Sequence, residues 1–131
     1  MSTRRVSVLV WSARLAIGFG LFLAIAEVRR NWGDWEWWPW WLVDYIAVGL
    51  LLWGGRVALS AAPRVGPLCG GWGFTVCMFY ASFFSHLEHL GERGSGPIEP
   101  MQLFGWIGVL FATSIVGFVL ALVASHQHRA D

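Results

Sequence analysis

Four stretches of this chain are too long and too apolar to be ordinary surface helices. They cover about 6–26, 40–60, 68–87 and 101–124. A helix needs roughly 20 apolar residues to cross a bilayer core, and each stretch meets that length. In lipid every backbone N–H and C=O must be satisfied within the segment, which an apolar run of this kind does only as a helix. The fold class that follows is all-α: an integral membrane four-helix bundle in one transmembrane domain spanning residues 1–131. Composition agrees, with 56% hydrophobic and 13% charged residues, against about 25% charged in soluble domains. The net charge of +1 gives no basic field for nucleic acid.

Proline marks the breaks between the runs. Pro39 opens the second span, Pro63 and Pro67 lie between the second and third, and Pro97 and Pro100 precede the fourth. Proline fits a helix's first turn and ends helices elsewhere. The N-terminus imitates a signal peptide, with Arg4-Arg5, an apolar run and Ala24-Ile-Ala26. Arg14 interrupts that run, and it exceeds the ~7–15 residues of a signal h-region. The expectation is a retained first span. Arginine counts in the loops orient the bundle. With both termini inside, Arg4, Arg5, Arg56, Arg64 and Arg129 are inner, and Arg29, Arg30 and Arg93 are outer. Both termini are therefore expected to be cytoplasmic.

Between the first two spans lies a Trp-rich outer segment, residues 31–41, with six of the ten tryptophans. Indole rings favour the interface, where the ring meets lipid and the N–H meets water. One expectation is an aromatic belt. The other is a docking surface for lipid, a quinone ring or another subunit, carried by Trp35, Trp37, Trp38 and Trp41, because Trp is enriched in binding hot spots.

Small residues allow transmembrane helices to approach closely. Span one offers Ala16, Gly20 and Ala24. Span three offers Gly73, Cys77, Ala81 and Ser85. Span four offers Gly108, Ala112, Thr113, Gly117 and Ala121. Cys77 is expected to be a packing residue. Cys69 lies eight residues away in the same run, about 12 Å along a helix. That exceeds disulfide reach, so free thiols are expected.

Ionisable groups gather at the outer ends of the spans. Glu27 closes the first, Asp44 lies one turn inside the second, and His86, Glu88 and His89 close the third. An ionisable residue inside a span is a functional hypothesis by default. His86 and His89, spaced i, i+3, share a helix face. With Glu27 and Asp44 they have the chemistry of a metal site. With Arg14 they have that of a quinone or proton site. The alternative is plain interfacial placement beside Arg29 and Arg30. An intramembrane bis-histidine haem is not expected. The remaining histidines, His126 and His128, lie about 30 Å away across the membrane. Arg14 itself is expected to snorkel to inner-leaflet phosphates, or else to meet a partner subunit or a quinone carbonyl. Arg56 is expected to face headgroups.

No phosphate loop, G-x-S-x-G, CxxC or HExxH is present. Nothing in the chain points to a hydrolase, kinase or thiol oxidoreductase.

The first span, Arg14-Leu-Ala-Ile-Gly-Phe-Gly-Leu-Phe-Leu23, resembles the opening helix of DoxX-like membrane proteins. The Gly-ended second span, Val48-Gly-Leu-Leu-Leu-Trp-Gly-Gly55, is similar to theirs, as is a third span with Met78 that ends near His86. The Trp segment and Arg29-Arg30 depart from that pattern. The resemblance implies a small inner-membrane protein tied in some members to quinone-linked electron transfer. Together these observations lead to an expectation of an accessory or interaction subunit of a larger membrane assembly, with a redox assembly as the setting the resemblance implies, held by lipids and by other subunits or its own copies. The rival expectation is a quinone-, proton- or metal-handling protein that uses the outer cluster.

Overall fold

A computed structural model describes residues 3–33, 38–91 and 98–129, with backbone only for residues 3–7, 40, 128 and 129. Four helices make up the described chain: α1 (Thr3–Asn31), α2 (Trp38–Ala58), α3 (Gly66–Glu88) and α4 (Pro100–Arg129). All four are long and apolar enough to cross a membrane. No strand occurs among the described residues. Three of the prolines occupy first turns, with Pro39 second in α2, Pro67 second in α3 and Pro100 first in α4. There a missing N–H costs no intrahelical bond. Pro63 lies in the α2–α3 connection and Pro97 outside the described residues.

The helices close a ring in chain order, with α1 beside both α2 and α4, and α3 completing the square between α2 and α4. Every neighbouring pair is antiparallel. The core between them consists of Leu9, Ala13, Ala16, Phe19 and Leu23 from α1, and Ala47, Val48, Leu51 and Ala58 from α2. Leu68, Trp72 and Phe79 of α3 and Ile107, Ala121 and Ala124 of α4 complete it. Trp72 is fully buried, and the Phe19 ring of α1 reaches across to it, edge-on at 5.5 Å between centroids.

Lengths differ more than the apolar runs imply. The 21 residues of α2 and 23 of α3 give about 31 and 34 Å, close to the ~30 Å hydrocarbon core. The 29 residues of α1 and 30 of α4 give about 43 and 45 Å. Helix α1 continues past Ala26 to Asn31, and α4 past Ala124 to Arg129. A helix leaving the bilayer keeps its internal hydrogen bonds, so polar residues end the span without ending the helix.

The α1 stripe lies inside the bundle, with Ala16 and Gly20 buried and Ala24 half-buried. On α4 Gly117 and Ala121 are buried, Gly108 and Thr113 half-buried, and Ala112 is exposed, contrary to its expected packing role. A Cβ on Gly20 would lie 3.2 Å from the Leu52 side chain. The α3 stripe turns the other way, with Cys77, Ala81 and Ser85 exposed and Gly73 half-buried. The intramolecular packing of α3 uses the opposite face, Leu68, Gly71, Trp72, Thr75 and Phe79. The reason is steric: the α3 backbone touches α2 at Gly71, where a Cβ would stand 2.9 Å from the Leu50 carbonyl oxygen. Both cysteines are free thiols on one continuous helix.

Candidate functional site: the polar cluster where α1 meets α2

At the end of the bundle near the α1–α2 connection, Glu27 is buried, with 7% of its surface exposed. Its position follows from the phase of α1. Leu23 and Glu27 are one turn apart on the face that Ala13, Ala16 and Gly20 press against α2. A carboxylate carried inward on that face needs partners, because unpaired burial of a charge costs several kcal/mol. One donor is in place and a second carboxyl lies close by. Asn31, one turn on, donates from Nδ2 to Glu27 Oε2 at 2.6 Å and to the Glu27 carbonyl at 3.1 Å. Asp44 of α2 comes within hydrogen-bonding reach of the Glu27 carboxyl, and the Arg30 guanidinium lies within electrostatic reach of Asp44. Asp44 is half-buried and Arg30 is exposed.

Two carboxyl groups in hydrogen-bonding reach, one guanidinium and one amide form a compact set that can hold and exchange a proton. A carboxyl is both donor and acceptor when protonated and acceptor only when ionised.

The histidines form a separate group. His86 lies in the last turn of α3, half-buried, and His89 caps its end, exposed. Each Nδ1 bonds a carbonyl one turn back, His86 to Ser82 at 2.8 Å and His89 to Ser85 at 2.7 Å. A carbonyl only accepts, so Nδ1 carries the hydrogen and neutral His86 presents its lone pair at Nε2. Among the described residues, no three His, Cys, Asp or Glu side chains converge as metal ligands. The structure thus joins Glu27 to Asp44 and does not join His86 and His89 to them as a metal set.

Arg14 lies on the exposed side of α1, away from this cluster and near the opposite end of the bundle. His126 is exposed on the overhanging end of α4. Of the tryptophans proposed for docking, Trp35 and Trp37 fall outside the described residues. Trp38 is exposed and Trp41 half-buried in the first turn of α2, where Trp41 packs edge-on to Tyr45 at 5.6 Å. Arg30 is a counter-ion that the sequence places beside the cluster, whereas Asn31 carries no motif. The signal available for Asn31 was spacing, since it falls at i+4 from Glu27, with Arg30 at i+3, on the same helical side.

No family model, no curated protein and no solved structure matches this chain.

Proposed function

We propose that this protein is an accessory subunit that packs against another membrane polypeptide through the outer face of α3, in a bacterial inner membrane with both chain ends cytoplasmic. The observation that carries this reading is the outward direction of Cys77, Ala81 and Ser85. Small residues permit close helix approach, and within the chain α3 makes its close approaches on its other face. The centre of the bundle is filled by Trp72, Leu51, Leu68 and Phe19, an arrangement suited to a scaffold rather than a conduit. The arginine bias supports the orientation, and the likeness of the first span to DoxX-like proteins supports the setting.

The test uses Cys77 as a reporter. In a Cys69→Ser background, mild oxidation in native membranes is expected to cross-link Cys77 to a polypeptide of a different mass. Ala81→Leu is expected to abolish that adduct and to leave the isolated protein's melting temperature unchanged. A cross-link only between copies of this chain would make the protein a homo-oligomer. No adduct in membranes that hold the native partners would reject the α3 interface. Labelling a cysteine introduced at Trp38 from one side of the membrane tests the orientation.

A second reading rests on a different observation, the burial of Glu27 beside Asp44. It is a proton-handling protein, coupled to a quinone or another redox partner. Infrared spectra of the protein in membranes are expected to contain a protonated-carboxyl band that is lost in both Glu27→Gln and Asp44→Asn. A spectrum identical in wild type and both variants would remove this reading.

A further inference from the structure

Arg14 and Arg56 belong to different helices and different parts of the sequence, yet the packing brings them together. A Cβ on Gly55 would lie 2.9 Å from the Ala13 carbonyl oxygen and 2.8 Å from Ile17 Cγ1. Ala13 and Gly55 therefore face each other across the α1–α2 seam. Arg14 and Arg56 are the next residues on the two helices, so they share one depth. One residue turns a helix by about 100°. Because α1 and α2 are antiparallel, that turn carries both arginines to the same side of the seam.

The preceding residues confirm the geometry. Ser12 and Gly54 turn to the other side, where Ser12 Oγ donates to the Gly117 carbonyl of α4 at 3.1 Å and Gly54 abuts the Leu68 backbone of α3. The arginines thus point away from α3 and α4, and both are exposed. No hydrogen bond or ion pair joins either guanidinium to another described residue.

The shared depth also resolves how Arg14 can sit in a span. By sequence it lies six residues inside the apolar part of α1, which starts at Val8, or about 9 Å. Its neighbour Arg56 is two residues from the end of α2 at Ala58. With α2 marking the membrane edge, the guanidiniums stand at phosphate level and the first turns of α1 overhang. Around them the surface suits a lipid. Trp11 and Trp53, each three residues before an arginine, are 64% and 53% exposed. Deeper along the groove, Gly18 and Gly49 have no atom within 4 Å of a would-be Cβ, which leaves space for an acyl chain.

We infer that Arg14 and Arg56 form a binding site for the phosphate of an anionic phospholipid in the leaflet on the side of the chain termini. The argument is charge complementarity. Two guanidiniums facing one groove at the membrane edge, with no carboxylate beside them among the described residues, match an anionic headgroup. The guanidinium fork bonds phosphate in a bidentate manner, and basic sites between transmembrane helices hold such headgroups. This site lies on a different face from the α3 stripe and does not depend on it.

The test is native mass spectrometry of delipidated protein in detergent, titrated with phosphatidylglycerol or phosphatidylcholine of matched chains. Wild type is expected to retain phosphatidylglycerol about tenfold better, and Arg14→Gln and Arg56→Gln each to lower that retention about fivefold. Arg64→Gln, in the neighbouring loop, is expected to change nothing. Paired Arg→Lys replacements keep the charge and are expected to retain an intermediate preference. Circular dichroism melts confirm that each variant is folded. Equal retention of the two lipids, undiminished binding by the double Gln variant, or an equal loss with Arg64→Gln would overturn the site. So would displacement of the lipid by inorganic phosphate, or a lipid-independent dimer that the Gln variants dissolve.

Discussion

The two ends of this bundle are held together by different means. Toward the chain termini, glycine backbone lies directly against neighbouring backbone or, at Gly117, against a ring. Gly54 lies against Pro67 and Leu68, Gly55 against Ala13, Gly71 against Leu50, and Gly117 against the face of the Trp72 indole. Toward the α1–α2 connection, aromatic rings and polar groups take over. Phe83 stacks on Phe104 at 4.7 Å and meets Phe84 and Phe111 at 5.4 and 5.7 Å, while Glu27, held by Asn31 of its own helix, meets Asp44 across the α1–α2 seam. Without a strong hydrophobic drive between helices in lipid, association depends on packing and hydrogen bonds. The terminal end gains it by removing side chains, the other end by interlocking them. A glycine contact tolerates no added atom, whereas a ring cluster tolerates some loss.

That contrast can be broken by substitution, read as unfolding in detergent micelles titrated with denaturing surfactant. Trp72→Ala should have the largest effect, about 3–5 kcal/mol, because it empties the centre of the core. Gly117→Val attacks the same contact from the other side by forcing the indole out, and should cost about 3 kcal/mol. Gly54→Val, whose Cβ would lie 2.8 Å from both Leu68 Cα and the Pro67 carbonyl oxygen, should cost about 1–3 kcal/mol. Phe83→Ala at the other end removes a far larger volume. Phe83 is only half-buried, so about 2 kcal/mol is expected. If Phe83→Ala proved costlier than Gly117→Val, the two ends would not differ as described.

The polar join sharpens the comparison further. Glu27→Leu strips Asn31 Nδ2 of its side-chain acceptor and should cost about 1–3 kcal/mol. Glu27→Gln keeps an acceptor oxygen and should cost about 1 kcal/mol or less. Equal losses would mean that shape, not hydrogen bonding, holds Glu27 in its place on α1. At the small end of the range, Trp38→Ala on the exposed first turn of α2 should stay within about 0.5 kcal/mol.

Much of the bundle was legible beforehand because bilayer thickness sets a length that an apolar run either meets or does not. The four spans follow from that single constraint. The overhangs of α1 and α4 were not legible from it. Hydropathy reports where lipid ends, whereas a helix ends where its hydrogen-bond ladder ends. At the candidate site, the shared depth of Glu27 and Asp44 could be read from their positions near span ends. Their contact could not, because it depends on the rotation of each helix. Nothing singled out the pairing of Trp72 with Gly117, since a tryptophan and a glycine in apolar runs have many available partners.

The same limit explains the small-residue stripes. Their four-residue spacing is a property of sequence and was readable on α1, α3 and α4 alike. Whether a stripe faces a neighbour or the outside is a property of the assembled bundle, and α3 reversed what α1 and α4 share. Arg14 makes the point for charge. Sequence placed it about two turns inside a span that begins at Val6, while the contact of Gly55 with Ala13 sets it level with Arg56, two residues from the end of α2. The sequence by itself determined four membrane-length helices, their breaks at proline and the chemical groups available at each end. The tertiary structure decided which groups meet, because close contact requires rotation and axial offset between helices, and these are fixed only when side chains from all four pack together.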